Sequence, residues 1–184
     1  MATKVKEGVD AVAGCEAILY QVQETLPPEV LEKMGAPPKP DLPMISADDL
    51  LEADGILFGA PTRFGMIPTQ LKNFLDSTGK LWAQGSLIGK PAGIFFSTAT
   101  QGAGQETTAL TFVTQIAHHG MIFVPTGYIS PAQQSRLDVV VGGSAYGAGT
   151  FAGSDGSRQP SEDELTRAYD QGRSFAAIAK KLSV

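Results

Sequence analysis

Short apolar runs alternate with amphipathic stretches along the chain, and this order predicts an α/β fold. Residues 56–59 and 92–97 are continuous apolar runs, typical of strands buried on both faces of a parallel sheet. Between them, residues 69–77 predict an amphipathic helix whose apolar face is formed by Leu71, Phe74 and Leu75. We therefore expect a doubly wound parallel sheet covered by helices on both faces.

The front of the chain carries three weaker signals. Residues 16–22 predict a strand, which Pro27 and Pro28 bring to an end. Residues 35–43 are rich in proline and predict a surface loop. Ser46, with Asp49 placed three positions later, predicts the N-terminus of a short helix.

The second half predicts a helix, a strand, a long loop and a final helix. Residues 107–118 form the first helix, which Gly120 caps, and residues 121–124 form the strand. Residues 126–160 are glycine-rich with little periodicity, so they predict a long loop. Residues 160–164 contain a capping box for a helix whose buried face would be formed by Leu165, Ala168, Tyr169, Phe175, Ala176, Ala179 and Leu182.

Composition narrows the class of protein. The chain has 184 residues, 42% of them hydrophobic and 18% charged, which suits a single domain over residues 1–184. Its net charge of −5 and the lack of a basic stretch with interleaved aromatics argue against nucleic-acid binding. Cys15 is the single cysteine, which excludes an intrachain disulfide and a cysteine metal cluster.

The same composition bears on location. No segment reaches the roughly 20 apolar residues that a membrane span requires. Residues 1–10 contain no apolar signal core. We expect a cytoplasmic protein with no bound metal and no membrane span, for which peripheral association with a membrane stays open.

Two loops carry the clearest candidate chemistry. Residues 60–65 and 97–104 each follow a buried strand directly, and ligands of open α/β sheets bind where the strands end. The first loop contains Arg63, and the second offers hydroxyl groups and glycine amides. By spacing alone, residues 60–65 are equally an ordinary strand-to-helix connection. Together the loops favour a site for a planar, anionic ligand.

Three further residues each have two interpretations. Trp82 is the only tryptophan, and it either covers the core or forms a flat wall for a planar substrate. His118 and His119 end a predicted helix, where a histidine stabilises the C-terminus. Alternatively, one of the two imidazoles faces the ligand and donates a hydrogen bond to a reducible oxygen.

Other familiar motifs are absent from the sequence. Gly147, Gly149 and Gly153 follow no clear strand and open no immediate helix, so they do not form a dinucleotide-binding fingerprint. There is no Walker sequence. Nothing beyond the presence of the residue types supports a Ser-His-Asp triad.

A set of motifs, taken in order, resembles the flavodoxin-like WrbA family of FMN-dependent NAD(P)H:quinone oxidoreductases. The resemblance covers nearly all of the chain from residue 16 onward. It is carried by residues 59–65, 81–83, 97–102, 117–121, 142–150 and 156–160.

The resemblance implies a role for particular residues. Thr62, Arg63 and Phe64 would contact the isoalloxazine ring of FMN. His118 would bind beside the flavin, face the quinone and act as the catalytic residue. Trp82 would form a wall of the quinone pocket of a neighbouring subunit. The subunits would form a homo-oligomer, which is a tetramer in the family. The flavin and its ribityl chain would be lined by Ser97, Thr98, Ala99, Thr100, Gln101 and Gly102.

The implied activity is a two-electron reduction of quinones to hydroquinones. NADH or NADPH would pass a hydride to FMN, and the reduced cofactor would then pass two electrons to the quinone. The quinone and further copies of the chain are the expected partners.

The chain departs from the family at its front. Members open with an apolar strand and a Ser-x-Tyr-Gly-His loop, and the helix that follows binds the FMN phosphate at its N-terminus. Here residues 1–5 lead directly into residues 6–12, which look like the end of that helix. We therefore expect a sheet without its first strand, and weakened or lost FMN binding. The alternative function is a flavin-deficient, non-enzymatic variant that at most assembles with intact subunits.

Overall fold

Four strands form one parallel sheet in the computed structural model, which describes residues 1–183. β2 (Pro91–Thr98) lies in the middle, and its residues 92–97 pair with the full length of β1 (Ile56–Pro61). On its other side, β2 pairs near its start with β3 (Ile122–Phe123) and near its end with β4 (Gly149–Phe151). The predicted parallel α/β sheet is confirmed.

Eight helices surround these strands within the described residues. The N-terminal half contributes five helices, which range from 4 residues in the third to 9 in the first. They are α1 (Ala2–Asp10), α2 (Pro28–Lys33), α3 (Asp49–Glu52), α4 (Thr69–Asp76) and α5 (Gly79–Gln84). The C-terminal half contributes α6 (Gln105–His118), α7 (Pro131–Gln134) and α8 (Glu162–Leu182).

The core lies on both faces of the sheet, as the continuous apolar runs predict. On one face, Phe58 and Phe96 join a cluster with the buried residues of α4 and α6. The rings of Phe58 and Phe112 meet edge to face, with their centroids 5.0 Å apart. On the other face, Leu57 packs with residues of α1 and α8.

Glycines bring α1 unusually close to α8. A Cβ at Gly8 would overlap the carbonyl oxygen of Tyr169, and a Cβ at Gly172 would overlap that of Val5. The two backbones are therefore in contact without intervening side chains. This contact positions α1 through α8 rather than through the sheet.

Several predicted elements differ from the observed ones. Residues 16–22 are extended but form only one bridge, between Gln21 and Met44. A strand needs a neighbour on the ladder, and among the described residues none lies between this segment and β1. β4 lies within residues 126–160, which were predicted to be a loop. Leu182, predicted to be buried, is 47% exposed because it lies at the end of α8.

Other local predictions are confirmed, with one exception at α3. Gly120 follows α6 with a φ of 69°, as a glycine cap requires. The Ser46 N–H and hydroxyl both donate to Asp49 Oδ2, at 2.7 and 2.6 Å, but the prediction of Ser46 as the N-cap is wrong, because α3 begins at Asp49 and Asp48 is its N-cap. Ser161 and Glu164 form the predicted capping box of α8.

Candidate functional site

The two candidate loops meet at the carboxyl ends of β1 and β2. The Thr62 N–H donates to the carbonyl oxygen of Ser97 at 2.8 Å. The Thr62 and Thr108 hydroxyl oxygens lie 2.9 Å apart, which ties the first loop to the start of α6. Residues 60–65 and 97–104 therefore form one continuous edge, as the parallel sheet predicts.

A tight turn displays an aromatic ring at this edge. Arg63 and Met66 exchange two backbone hydrogen bonds of 2.8 and 3.0 Å around Phe64 and Gly65. Phe64 has a φ of 52° and Gly65 a φ of 75°, the pattern of a type I′ turn. Left-handed backbone is rare for a bulky residue and is often associated with function. The Phe64 side chain is fully exposed, so the turn presents a ring rather than burying one.

Arg63 contributes a positive charge to the same edge. It forms no ion pair with another residue in the part of the chain described. Its guanidinium therefore keeps its donors for a ligand, and a guanidinium suits planar, anionic groups.

The second loop combines a fixed base with an open tip. Thr98 is buried, and its hydroxyl donates to the carbonyl of Thr100 at 3.1 Å. Ala99, Thr100, Gln101 and Gly102 are exposed. A Cβ at Gly102 would meet nothing within 4 Å, so the tip borders open space. Thr98 therefore has a structural role, while residues 99–102 offer their backbone groups to a ligand.

Gln105 links this loop to the glycine-rich segment before β4. Its side-chain amide donates to Thr98 Oγ1 at 3.1 Å and to the Thr150 carbonyl at 3.0 Å. Its oxygen accepts from the Gly143 N–H at 2.6 Å. The segment 142–150 is thus held beside the candidate site, although its lack of periodicity had predicted only a loop.

Trp82 and His118 lie at the opposite edge of the sheet. α6 begins beside the second loop and contains 14 residues, so His118 is about 21 Å along the helix from that loop. The backbone N–H of Trp82 donates to the Thr78 carbonyl, and the Thr78 hydroxyl contacts His119. These residues cluster near the starts of β2 and β3, so one chain does not bring them to the two loops.

The two histidines differ in environment. His118 is exposed, whereas His119 is only 5% exposed. The Thr78 hydroxyl donates to the Leu75 carbonyl at 2.6 Å and accepts from His119 Nε2 at 2.9 Å, which assigns the Nε2–H tautomer. His119 Nδ1 is buried without a partner among the described residues. Burial, and secondarily the charge of His118, lowers the pKa of His119, so its ring is neutral and structural.

A buried ionic network supports the glycine-rich segment and was missed in the sequence. Glu164 is fully buried and accepts from the Gly142 N–H at 2.9 Å and from Thr150 Oγ1 at 2.8 Å. Arg158 Nη1 donates to the same carboxylate at 2.9 Å. Arg167 Nη1 donates to the Gly142 carbonyl at 2.6 Å. The capping box was the one signal at Glu164, and it gave no hint of burial.

Comparison with known proteins places this geometry in a family. The fold is that of a flavodoxin-like α/β protein: a WrbA-like flavodoxin from Agrobacterium tumefaciens matches 98% of this chain and 87% of its own, with a TM-score of 0.61 at 24% identity. The model of the NADPH-dependent FMN reductase family matches residues 1–135. The chain belongs to that family, and FMN is its cofactor.

Two relatives cover almost the whole chain. A protein named quinone-oxidoreductase QR2 from Triphysaria versicolor is 59% identical over 182 residues, which are 99% of this chain and 89% of the relative. A protein named NAD(P)H dehydrogenase (quinone) from Geobacter sulfurreducens is 53% identical over 187 residues, covering 100% of this chain and 92% of the relative.

Proposed function

We infer that the chain is an FMN-dependent NAD(P)H:quinone oxidoreductase that reduces quinones to hydroquinones. Family membership and the names of the full-length relatives support this function. The structural observation that carries it is the joined pair of loops at the carboxyl edge, with an exposed ring, an unpaired cation and exposed amides. These features fit the flat, anionic ring of a flavin.

FMN held at this edge would supply the redox chemistry, the two-electron transfer between NAD(P)H and the quinone. Arg63 and the exposed ring of Phe64 would hold and orient the isoalloxazine from one loop, together with Thr62. The second loop would line the ring and the ribityl chain with backbone and hydroxyl groups, from Ser97, Thr98, Ala99, Thr100, Gln101 and Gly102.

A second copy of the chain completes the proposed site. His118 lies about 21 Å along α6 from the second loop of its own chain, and Trp82 lies on α5, which contacts the same end of α6 through Thr78 and His119. His118 is exposed, and Trp82 is 59% exposed, so both are available to a neighbour. We propose that a neighbouring subunit supplies His118 as the hydrogen-bond donor to the quinone and Trp82 as the wall of its pocket. The homo-oligomer would be a tetramer.

No helix in the part of the chain described is long and apolar enough to cross a bilayer. We propose a cytoplasmic location on a different ground, because a chain with one cysteine, Cys15, suits a reducing compartment.

A titration of the purified chain with FMN tests the cofactor site. Arg63→Ala should weaken binding about tenfold or more, because it removes a charge-assisted contact worth about 1.5–3 kcal/mol. Arg173→Ala, which alters an exposed arginine on α8, is the matched control and should bind as the parent does. Failure of the parent to bind at tens of micromolar FMN would instead favour the flavin-deficient variant.

Mixing two impaired variants tests the shared site, at an FMN concentration that saturates the parent chain but leaves Arg63→Ala without flavin. Arg63→Ala subunits would supply an intact His118, and His118→Ala subunits would supply intact loops. If the site forms between copies, dissociated and reassembled mixtures should regain quinone reductase activity that neither variant has alone. If each chain builds its own site, mixtures should stay as inactive as their components, and the interface proposal fails.

A further inference from the structure

The free side of β1 borders a long apolar cleft. Within residues 1–183, β1 pairs with β2 alone, and Gly59 and Pro61 are exposed on it. The cleft has a volume of about 1480 Å³ and runs between β1 and the extended segment 16–22. Small-molecule pockets measure about 300–1,000 Å³, so this space is larger than such a ligand needs.

Backbone hydrogen-bonding groups are unused on the β1 wall. The Thr62 N–H points to β2, and successive residues of a strand alternate in direction. Leu57 and Gly59 therefore direct their N–H and C=O groups into the cleft. Such an open row of donors and acceptors is a template for a further strand.

The opposite wall offers a second such row. Gln21 directs its N–H to the Pro43 carbonyl at 3.0 Å and its C=O to the Ile45 N–H at 2.9 Å. Its neighbours Tyr20 and Val22 therefore point the other way, into the cleft. Neither makes a backbone hydrogen bond with another described residue.

The two remaining sides are apolar. One is formed by the helices packed beneath the sheet, including Val5 of α1 and Phe175 of α8. The other includes Leu71 and Phe74 of α4. A segment inserted here would meet apolar surface above and below and unused backbone groups on both sides. This is the environment of a central strand in a parallel sheet.

We propose that the cleft binds an extended apolar peptide of about six residues, which inserts as a strand between β1 and residues 16–22. The length follows from β1, whose six residues span about 20 Å. Alternate backbone groups of the peptide would bond to the two walls, while its side chains fill both apolar sides. The proposal does not depend on the flavin chemistry.

A synthetic peptide tests the cleft directly. The probe is a dye-labelled Lys-Lys-Val-Ile-Val-Leu-Val-Ile-Lys-Lys, and its control carries N-methyl groups on every second apolar residue. The control keeps the apolar side chains but loses half of its donors. We expect saturable binding of the probe by fluorescence anisotropy and at least tenfold weaker binding of the control. Equal binding of the two would overturn the proposal, since strand pairing would then contribute nothing.

Hydrogen exchange and three variants locate the binding. The peptide should slow exchange in residues 16–22 and 56–61 and in no other segment. Ile18→Asp, on a side chain that is 67% exposed in the cleft, should weaken binding at least tenfold, whereas Leu137→Asp, on a side chain that is 99% exposed and lies outside the cleft, should not. Tyr20→Pro should weaken it as well, because it removes a donor without adding charge. Equal binding by both aspartate variants would contradict the proposal.

Hydrogen exchange without the peptide distinguishes peptide binding from pairing with a second copy of the chain. If copies pair through β1, the same two segments should already be protected without peptide, and the protection should grow with protein concentration. That result would also overturn the peptide proposal. Loss of FMN binding would leave all these readouts unchanged, so the two proposals fail separately.

Discussion

The two sides of β2 are stabilised in opposite ways. On the side of β3 and β4, a buried side chain pairs backbone groups: Gln171 donates to the Ile94 carbonyl at 2.9 Å and accepts from the Ala148 N–H at 2.9 Å. Glu164 and Arg167 hold the preceding segment. On the side of β1, the backbone groups of Leu57 and Gly59 have no strand partner among the described residues.

Strand length does not decide on which side of β2 the backbone groups find hydrogen-bond partners. β4 has three residues and β1 has six, yet it is on the side of the shorter strand that buried side chains pair the backbone groups. Buried polar groups are costly unless they are paired, and the β4 side pairs them through α8. The β1 side leaves its groups to solvent or to a partner. The stability of the domain should therefore depend mainly on the β4 side.

Glu164→Gln should give the largest effect on stability. Breaking a buried, hydrogen-bonded ion pair costs about 3 kcal/mol, and Arg158 and Thr150 would lose a charged acceptor. Urea unfolding measures the loss, with Glu162→Gln as the control because Glu162 is exposed in the same helical turn. Equal, small losses in both variants would show that the β4 side does not depend on this network.

Gly172→Ala should give a somewhat smaller effect, by separating α1 from α8. The added methyl group would overlap the Val5 carbonyl, and overpacking of this kind costs about 1–3 kcal/mol. Gly79→Ala is the control, because a Cβ there meets nothing within 4 Å. Thermal unfolding should show a lower midpoint for Gly172→Ala alone. An unchanged midpoint would mean that α1 contributes little to the fold.

How far the sequence predicted the fold depended on whether each element is stabilised locally. The cores of β1, β2, α4 and α6 have continuous apolar runs or one-sided faces, and these were recognised. β4 was missed because Gly149 has no side chain to show a pattern. Its environment comes from Gln105 and Glu164, which lie far away in the sequence. Residues 16–22 have strand-like composition, but strand pairing is non-local, and the neighbour is not present in residues 1–183.

The candidate site could likewise be predicted from the sequence only in part. The loops 60–65 and 97–104 could be placed together, because parallel strands end at one edge of a sheet. The family resemblance assigned Trp82 to the pocket of a neighbouring subunit, whereas it placed His118 beside the flavin without saying which copy of the chain contributes it. The length of α6 separates His118 from the loops of its own chain. The burial of His119 beside Thr78 depends on α5, which residue spacing does not reveal.

Acid should lower the free energy of unfolding through His119, which lies just before β3, on the side of β2 that also carries β4. Its pKa is lowered in the folded protein, chiefly by burial, from an ordinary value of about 6.5. The unfolded chain therefore binds more protons as the pH falls below about 6.5, and stability should decline from there through the folded pKa. His119→Gln should flatten this part of the profile of unfolding free energy against pH. His118→Gln is the control and should keep the decline; an identical profile in His119→Gln would contradict the assignment.

The smallest effect on the unfolding free energy should come from a substitution in the cleft beside β1. Ile18→Asp places a charge on a side chain that is 67% exposed, and surface changes of this kind usually alter the unfolding free energy by less than about 0.5 kcal/mol. Ile94→Val removes one methylene from a fully buried side chain of β2 and should cost about 1 kcal/mol. A conservative change in the core should therefore cost more than a drastic one in the cleft, as urea unfolding of both would measure. If Ile18→Asp were instead the more damaging, the cleft would already be closed in solution, and the contrast between the two sides of β2 would not hold.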